Sequence, residues 1–86
     1  MNINELIAIV KNKLRAEIAI QDIKIEDKSF LHKNHKGHQE GKFHLKIIIN
    51  SEELVRISKI ASTKKIYSIL HLELKEYIHS IQILLN

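Results

Sequence analysis

FHLKIIIN, residues 43–50, alternates without a break: Phe43, Leu45, Ile47 and Ile49 point one way, His44, Lys46, Ile48 and Asn50 the other. A period of two held over this length predicts a β-strand with one face in a core. Upstream, Ile23 and Ile25 alternate with Asp22, Lys24 and Glu26, which predicts a first strand over 21–28. Between the two lies a polar loop, 29–41, that contains both glycines, Gly37 and Gly41.

Working outward, Ile3, Leu6, Ile7, Val10 and Leu14 recur at spacings of three and four, so 3–15 reads as an amphipathic helix with Asn2 as its N-cap. After the central strand, Asn50 or Ser51 caps a short helix, with Glu53 three residues past Asn50 and with Leu54, Ile57 and Ile60 on its inner side. Ser62 or Thr63 caps the next helix, whose apolar stripe is Ile66, Ile69 or Leu70, and Leu74. The last segment, IHSIQILLN, reads as a strand with His79, Ile81, Ile83 and Leu85 on one face. Ile78, Ser80, Gln82 and Leu84 fall on the other. The expected order is α-β-β-α-α-β: an α+β domain with a three-stranded mixed sheet and helices packed on one face.

Eighty-six residues supply one domain and one small core. With no cysteine, neither a disulfide nor a thiolate metal site can reinforce it, which suits a reducing, cytoplasmic compartment. The first residues do not read as a signal peptide, and no apolar run reaches the ~20 residues of a membrane span, so no membrane association is expected. The formal charge of +4 is concentrated. Lysines 28, 33, 36, 42 and 46 face one acid, Glu40, in that interval, and the rest of the chain balances. Such a patch attracts nucleic acid, other anions or an acidic protein face.

Four of the six histidines (32, 35, 38 and 44) fall in the same basic stretch. His32, His35 and His38 recur at every third position and offer imidazoles to a borderline metal. Asn34 and Gly37 argue for a loop that does not aim the rings at one point, and the flanking lysines repel a cation. An autonomous metal site is therefore a poor reading; a solvated turn, or a site completed by another molecule, is a better one. His79, on a regular strand, is a more rigid ligand position. By strand parity it sits at the edge of the face that buries itself against the helices. No nucleophile elbow, phosphate-cradling glycine loop or paired carboxylates appear, which argues against an enzyme.

Taken in order, these segments resemble the BolA family. IEDKSFLH resembles its V-x-D-x-S-x-x-H at Asp27, Ser29 and His32, and KFHLKIII resembles H-F-x-V-x-I-V at Phe43, Leu45 and Ile47. Leu54 and Ser58 fall in its F-x-G-x-S stretch. IYSILHLELKEYIHSIQI resembles V-Y-x-x-L-x-x-E-L-x-x-x-I-H-A-L-x-I at Tyr67, Leu70, Glu73, Leu74, Ile78 and His79. The sequence departs from the family at Arg56, where the pattern has glycine, and at Ser62-Thr63, where many members carry Arg-His.

The resemblance implies a fold similar to a type II KH domain and a partnership with monothiol glutaredoxins. In that partnership a [2Fe-2S] cluster is shared, and the protein does not hold it alone. It implies His79 as the C-terminal cluster ligand and His32 as the ligand from the loop, with His35 and His38 near enough to substitute. Imidazole in place of thiolate raises a cluster's potential. The implied role is iron–sulfur cluster trafficking or iron regulation, with the chain alone a monomer or weak homodimer. The alternative is a nucleic-acid-binding transcriptional regulator. KH domains grip single strands through a G-x-x-G loop, and the corresponding IASTKKI here has no glycine. Lys64 and Lys65, expected near a helix N-terminus, with Lys59 and Arg56, would then carry the phosphate contacts. A third reading is an interaction module without a cofactor.

Overall fold

The computed structural model describes residues 1–29 and 42–86. Its elements run α1 (Ile3–Glu17), β1 (Asp22–Asp27), β2 (Phe43–Asn50), α2 (Glu52–Val55), α3 (Lys59–Ile69), α4 (His71–Glu76) and β3 (Ile78–Leu85). This is the expected α+β order with one helix more. The stripe Ile66–Leu74 is divided at Leu70, whose φ of −98° and ψ of 15° end α3 and start α4. Leu70 itself is fully buried at that corner, so the break keeps the stripe in the core while turning the backbone.

Helix α1 starts where Asn2 accepts a hydrogen bond from the Glu5 backbone N–H at 2.8 Å. The Asn2 amide in turn donates to the Glu5 carboxylate at 2.8 Å, so both groups of the cap are used. Leu6, Val10 and Leu14 form its buried face.

The sheet order is β1-β2-β3, with β2 antiparallel to β1 and parallel to β3. A parallel pair needs a long crossover, and α2, α3 and α4 supply it. Leu45, Ile47 and Ile49 of β2 are buried as their alternation requires, and Ile81, Ile83 and Leu85 of β3 pair beside them. Each such burial is worth about 1.5–3 kcal/mol. Ile23 and Ile25 complete the inner face from β1.

Two expectations about the crossover are corrected. The cap of α3 is Ser58, which accepts from the Ala61 N–H at 3.0 Å, rather than Ser62 or Thr63. Ser62 is instead fully buried inside α3, donating to the Leu54 carbonyl at 2.8 Å. Because the helix begins earlier, Ile60 lands on the far side from Ile66 and is 70% exposed, and Ile57 is exposed too. Ser51 caps α2, accepting from Leu54 N–H at 3.2 Å and donating to the Ala19 carbonyl at 2.7 Å. That single hydroxyl ties the crossover to the segment after α1.

Beneath the helices, Glu73 is buried on α4 and one carboxylate oxygen accepts from Lys13 Nζ of α1 at 2.7 Å. Its other oxygen has no hydrogen-bond partner among the described residues. The lysine is therefore the one described counter-charge to a desolvated carboxylate. Lys13→Met, which keeps the aliphatic stem, should cost about 1–3 kcal/mol in urea unfolding. Glu73→Gln should cost less, since it removes the charge and keeps the shape. Equal losses from the two would assign the energy to packing instead of to the ion pair.

Candidate functional site: a bulged histidine beside a buried one

The parallel ladder of β2 and β3 contains one irregularity. Phe43 pairs with Ile78, but the next partner of His44 is Ser80, so His79 is the additional residue of a β-bulge. Bulges of this kind re-aim a side chain. The consequence here corrects the parity expected for the strand. Ile78 turns inward and is 1% exposed; Ile81, Ile83 and Leu85 keep the inner face; and His79 leaves that face altogether and is exposed. Counting by twos along IHSIQILLN put His79 with the isoleucines and Ile78 outside, and the extra residue reverses both.

On the outer face the His79 ring lies against that of His44, with ring centres 4.8 Å apart and planes tilted by 49°. His44 is 6% exposed, held by a 2.6 Å hydrogen bond between its Nδ1 and the Ser80 hydroxyl. Sequence reasoning placed His44 on this face and gave it no role. Its proximity to His79 depends on the cross-strand register, which neither segment shows alone.

The turn after β1 is anchored to the same corner. Asp27 accepts from Ser29 through both its N–H, at 3.0 Å, and its hydroxyl, at 2.6 Å. The Ser29 oxygen accepts from the His44 N–H at 3.1 Å, and the His44 carbonyl accepts from the Lys28 N–H at 2.7 Å. Asp27 and Ser29 thus act locally, fastening the departing chain beside His44. On the returning side, the Phe43 N–H donates to the Tyr77 carbonyl at 2.9 Å. Ser29 and Lys42 are the described residues on either side of 30–41, and His32, His35 and His38 lie outside the described residues.

A cavity of about 360 Å³ opens next to the pair, lined among others by Lys28, His44, Lys46, Ser80 and Gln82. Glu26 stands nearby with Lys24 at 3.5 Å and Lys28 at 3.6 Å. Desolvation would raise the Glu26 carboxyl, but Lys28, Lys24 and Lys46 together outweigh it and the group stays below its ordinary value. Among the described residues no three or more His, Cys, Asp or Glu side chains converge as a metal site would require.

The residues proposed for phosphate contact are spread over another part of the surface. Lys59 is the first residue of α3, whereas Lys64 and Lys65 sit in its middle, away from the unpaired N–H groups expected to assist them. Lys64 is exposed. Lys65 is bonded to Glu53 at 3.0 Å, and Arg56 lies 3.6 Å from Glu52, one turn earlier. Two of the four cations are therefore already matched by acids.

The sequence pattern of the BolA-like proteins matches residues 14–86. The chain belongs to the BolA-like family. One BolA-like relative, the DNA-binding transcriptional regulator BolA of Haemophilus influenzae, is 30% identical over 73 residues, which cover 85% of this chain and 68% of that protein. The BolA domain of SufE1 from Arabidopsis thaliana superposes with a TM-score of 0.76 at 26% identity, over 92% of this chain and 87% of the other. BolA1 from Mus musculus shares the fold, with a TM-score of 0.71 at 17% identity, over 90% of this chain and 60% of the other. The resemblance read from the ordered motifs is confirmed at the level of family and fold.

Two outcomes are expected from this geometry. Ser80→Ala should remove one of the contacts that orient the His44 ring, moving its Nδ1 resonance and lowering stability by about 1 kcal/mol; an unmoved resonance would show that the Ser80 hydroxyl does not help to orient the ring. The second outcome concerns Glu53, whose carboxyl is held below its ordinary value first by the Lys65 hydrogen bond and then by the Ala19 N–H. A lowered carboxylate contributes stability above its unfolded value and loses it as pH falls through the folded one. The melting advantage of the wild type over Lys65→Met should be small, present at neutral pH, and gone in strong acid.

Proposed function

We propose that this BolA-like chain is a cytoplasmic, non-catalytic partner of a monothiol glutaredoxin and contributes histidine ligands to a [2Fe-2S] cluster held between them. The observation that carries this reading is His79: an imidazole on a regular strand, turned out of the core by a bulge and exposed. A ligand to a shared group must be both rigidly based and reachable from outside, and the bulge meets both demands. The donor set also fits. A chain without cysteine has no thiolate to give, so thiolates have to come from the glutaredoxin and its glutathione.

The second ligand in this reading comes from His32, His35 or His38, which follow Ser29 in the sequence; Ser29 itself is bonded to Asp27 and to His44 N–H. Neutral imidazole is needed for binding, so the shared cluster should loosen as pH falls below about 6. The lysines of residues 28–46 would steer an acidic partner face, raising the encounter rate more than the affinity. Iron–sulfur cluster trafficking or iron regulation is the role that follows.

A second reading, a nucleic-acid-binding transcriptional regulator, is supported by the name of the Haemophilus influenzae relative and by two exposed cations, Lys59 and Lys64, on α3. The absence of glycine in IASTKKI weakens it, because close backbone approach to phosphate is then unavailable. Anaerobic co-purification with a monothiol glutaredoxin should give a heterodimer with charge-transfer absorption, and His79→Ala should bleach or shift that spectrum. An unchanged spectrum would overturn the cluster reading. Affinity for DNA that falls steeply with salt and ignores iron would favour the second.

A further inference from the structure

The outer face of the sheet carries its charge unevenly. Lys46 of β2 stands between Glu26 of β1 and Gln82 of β3, its direct cross-strand neighbours. Glu26 is already engaged, with Lys24 at 3.5 Å and Lys28 at 3.6 Å. Lys46 is half-buried, and its ammonium forms no ion pair or hydrogen bond among the described residues. Three lysines, 24, 28 and 46, thus act on one carboxylate, and an excess of two positive charges is left over.

That excess borders the cavity of about 360 Å³ beside His44. Lys28, Lys46, Ser80 and Gln82 are on its wall, and among the described residues no acid is. The cavity of about 420 Å³ lined by Lys13 of α1 and Ser68 of α3 differs, because Glu17 is on the same wall and cancels the lysine. The donors beside His44 are also held in place by the ladder, where Ser80 pairs with His44 and Gln82 with Lys46. The Ser80 oxygen lies 2.6 Å from His44 Nδ1, so when the ring donates, the serine proton is left for a ligand. Two ammonium groups, a hydroxyl and an amide around one hollow can bond an oxyanion from several sides. The volume falls at the low end of the ~300–1,000 Å³ usual for small-molecule sites, which is room for more than a bare ion.

We infer that this cavity binds the phosphate of a small phosphate monoester, with Lys46 as its main counter-charge and Lys28, Ser80 and Gln82 as further donors. Charge selects this class. A monoester carries about −1.5 to −2 at neutral pH and presents three acceptor oxygens, which answers the excess on the sheet. A carboxylate or a phosphodiester brings a single charge and meets half of it, and a metal cation is repelled. The site goes beyond the cluster reading and does not rest on it, since it needs neither iron nor a second protein.

The test uses the purified, iron-free chain and three probes at constant ionic strength: methyl phosphate, dimethyl phosphate and acetate. Methyl phosphate should shift the Lys46 and Gln82 amides and the Gln82 side-chain NH2 saturably, with a dissociation constant of about 1 mM. Dimethyl phosphate and acetate should bind about tenfold more weakly or worse. Lys46→Met keeps the aliphatic stem and should weaken methyl phosphate binding about tenfold, whereas Lys46→Arg keeps the charge and should retain it. Lys59→Met, on the exposed start of α3, should change nothing. Shifts that never saturate, an equal response to acetate, or binding indifferent to Lys46→Met would each overturn the inference. So would a short DNA strand without a terminal phosphate that moves the same resonances at lower concentration, because the site would then read diesters. Cluster formation with a glutaredoxin is measured separately, so either proposal can fail without the other.

Discussion

Parallel pairing of β2 with β3 is the constraint on which the rest of the molecule depends. Two parallel strands cannot be joined by a tight turn. The chain from Ser51 to Tyr77 must therefore leave one end of the sheet, cross its inner face and return to the other end, which sets the places of α2, α3 and α4. The ladder also brings Ile81, Ile83 and Leu85 level with Leu45, Ile47 and Ile49, so that both strands press one apolar surface against α1 and α3. Its single misstep, between Phe43 and His44, puts His79 on the surface next to His44.

The buried polar side chains of the crossover are few: Ser51, Ser62 and Glu73. Ser51 and Ser62 take up backbone groups at the ends of α2, where a four-residue helix cannot satisfy its own. Glu73 differs in kind: a carboxylate brought under the helices is tolerated because Lys13 reaches it from α1. Such a pair adds little net stability over an apolar one of equal volume, but it penalises any packing of α1 on α4 that separates the charges.

Three surfaces follow, and they occupy different parts of the molecule. The imidazole corner is assembled from the start of β3, the start of β2 and the turn after β1. The exposed lysines of α3 belong to the crossover. The neutral edge of β3 begins where the bulge ends. Because the bulge both exposes His79 and interrupts regular pairing, one local feature separates the histidine-bearing start of β3 from its regular, uncharged remainder.

By itself the order of residues determined the class of fold, the three strands, the inner faces of β1 and β2, the cap of α1 and the family, because each is written in local periodicity or in an ordered motif. Packing decided the rest. Serine at positions 51, 58 and 62 is equally able to cap a helix, and only the seating of Ile66 and Leu70 in the core sets α3 to begin at Lys59 and sends Ser62 inside. The meeting of His44 and His79 was equally hidden, since a bulge belongs to a pair of strands and leaves no mark on either one alone. Periodicity along a strand predicts faces only while the ladder stays in step. One unpaired residue is enough to exchange inside for outside, and at His79 that exchange places the imidazole where another molecule can reach it.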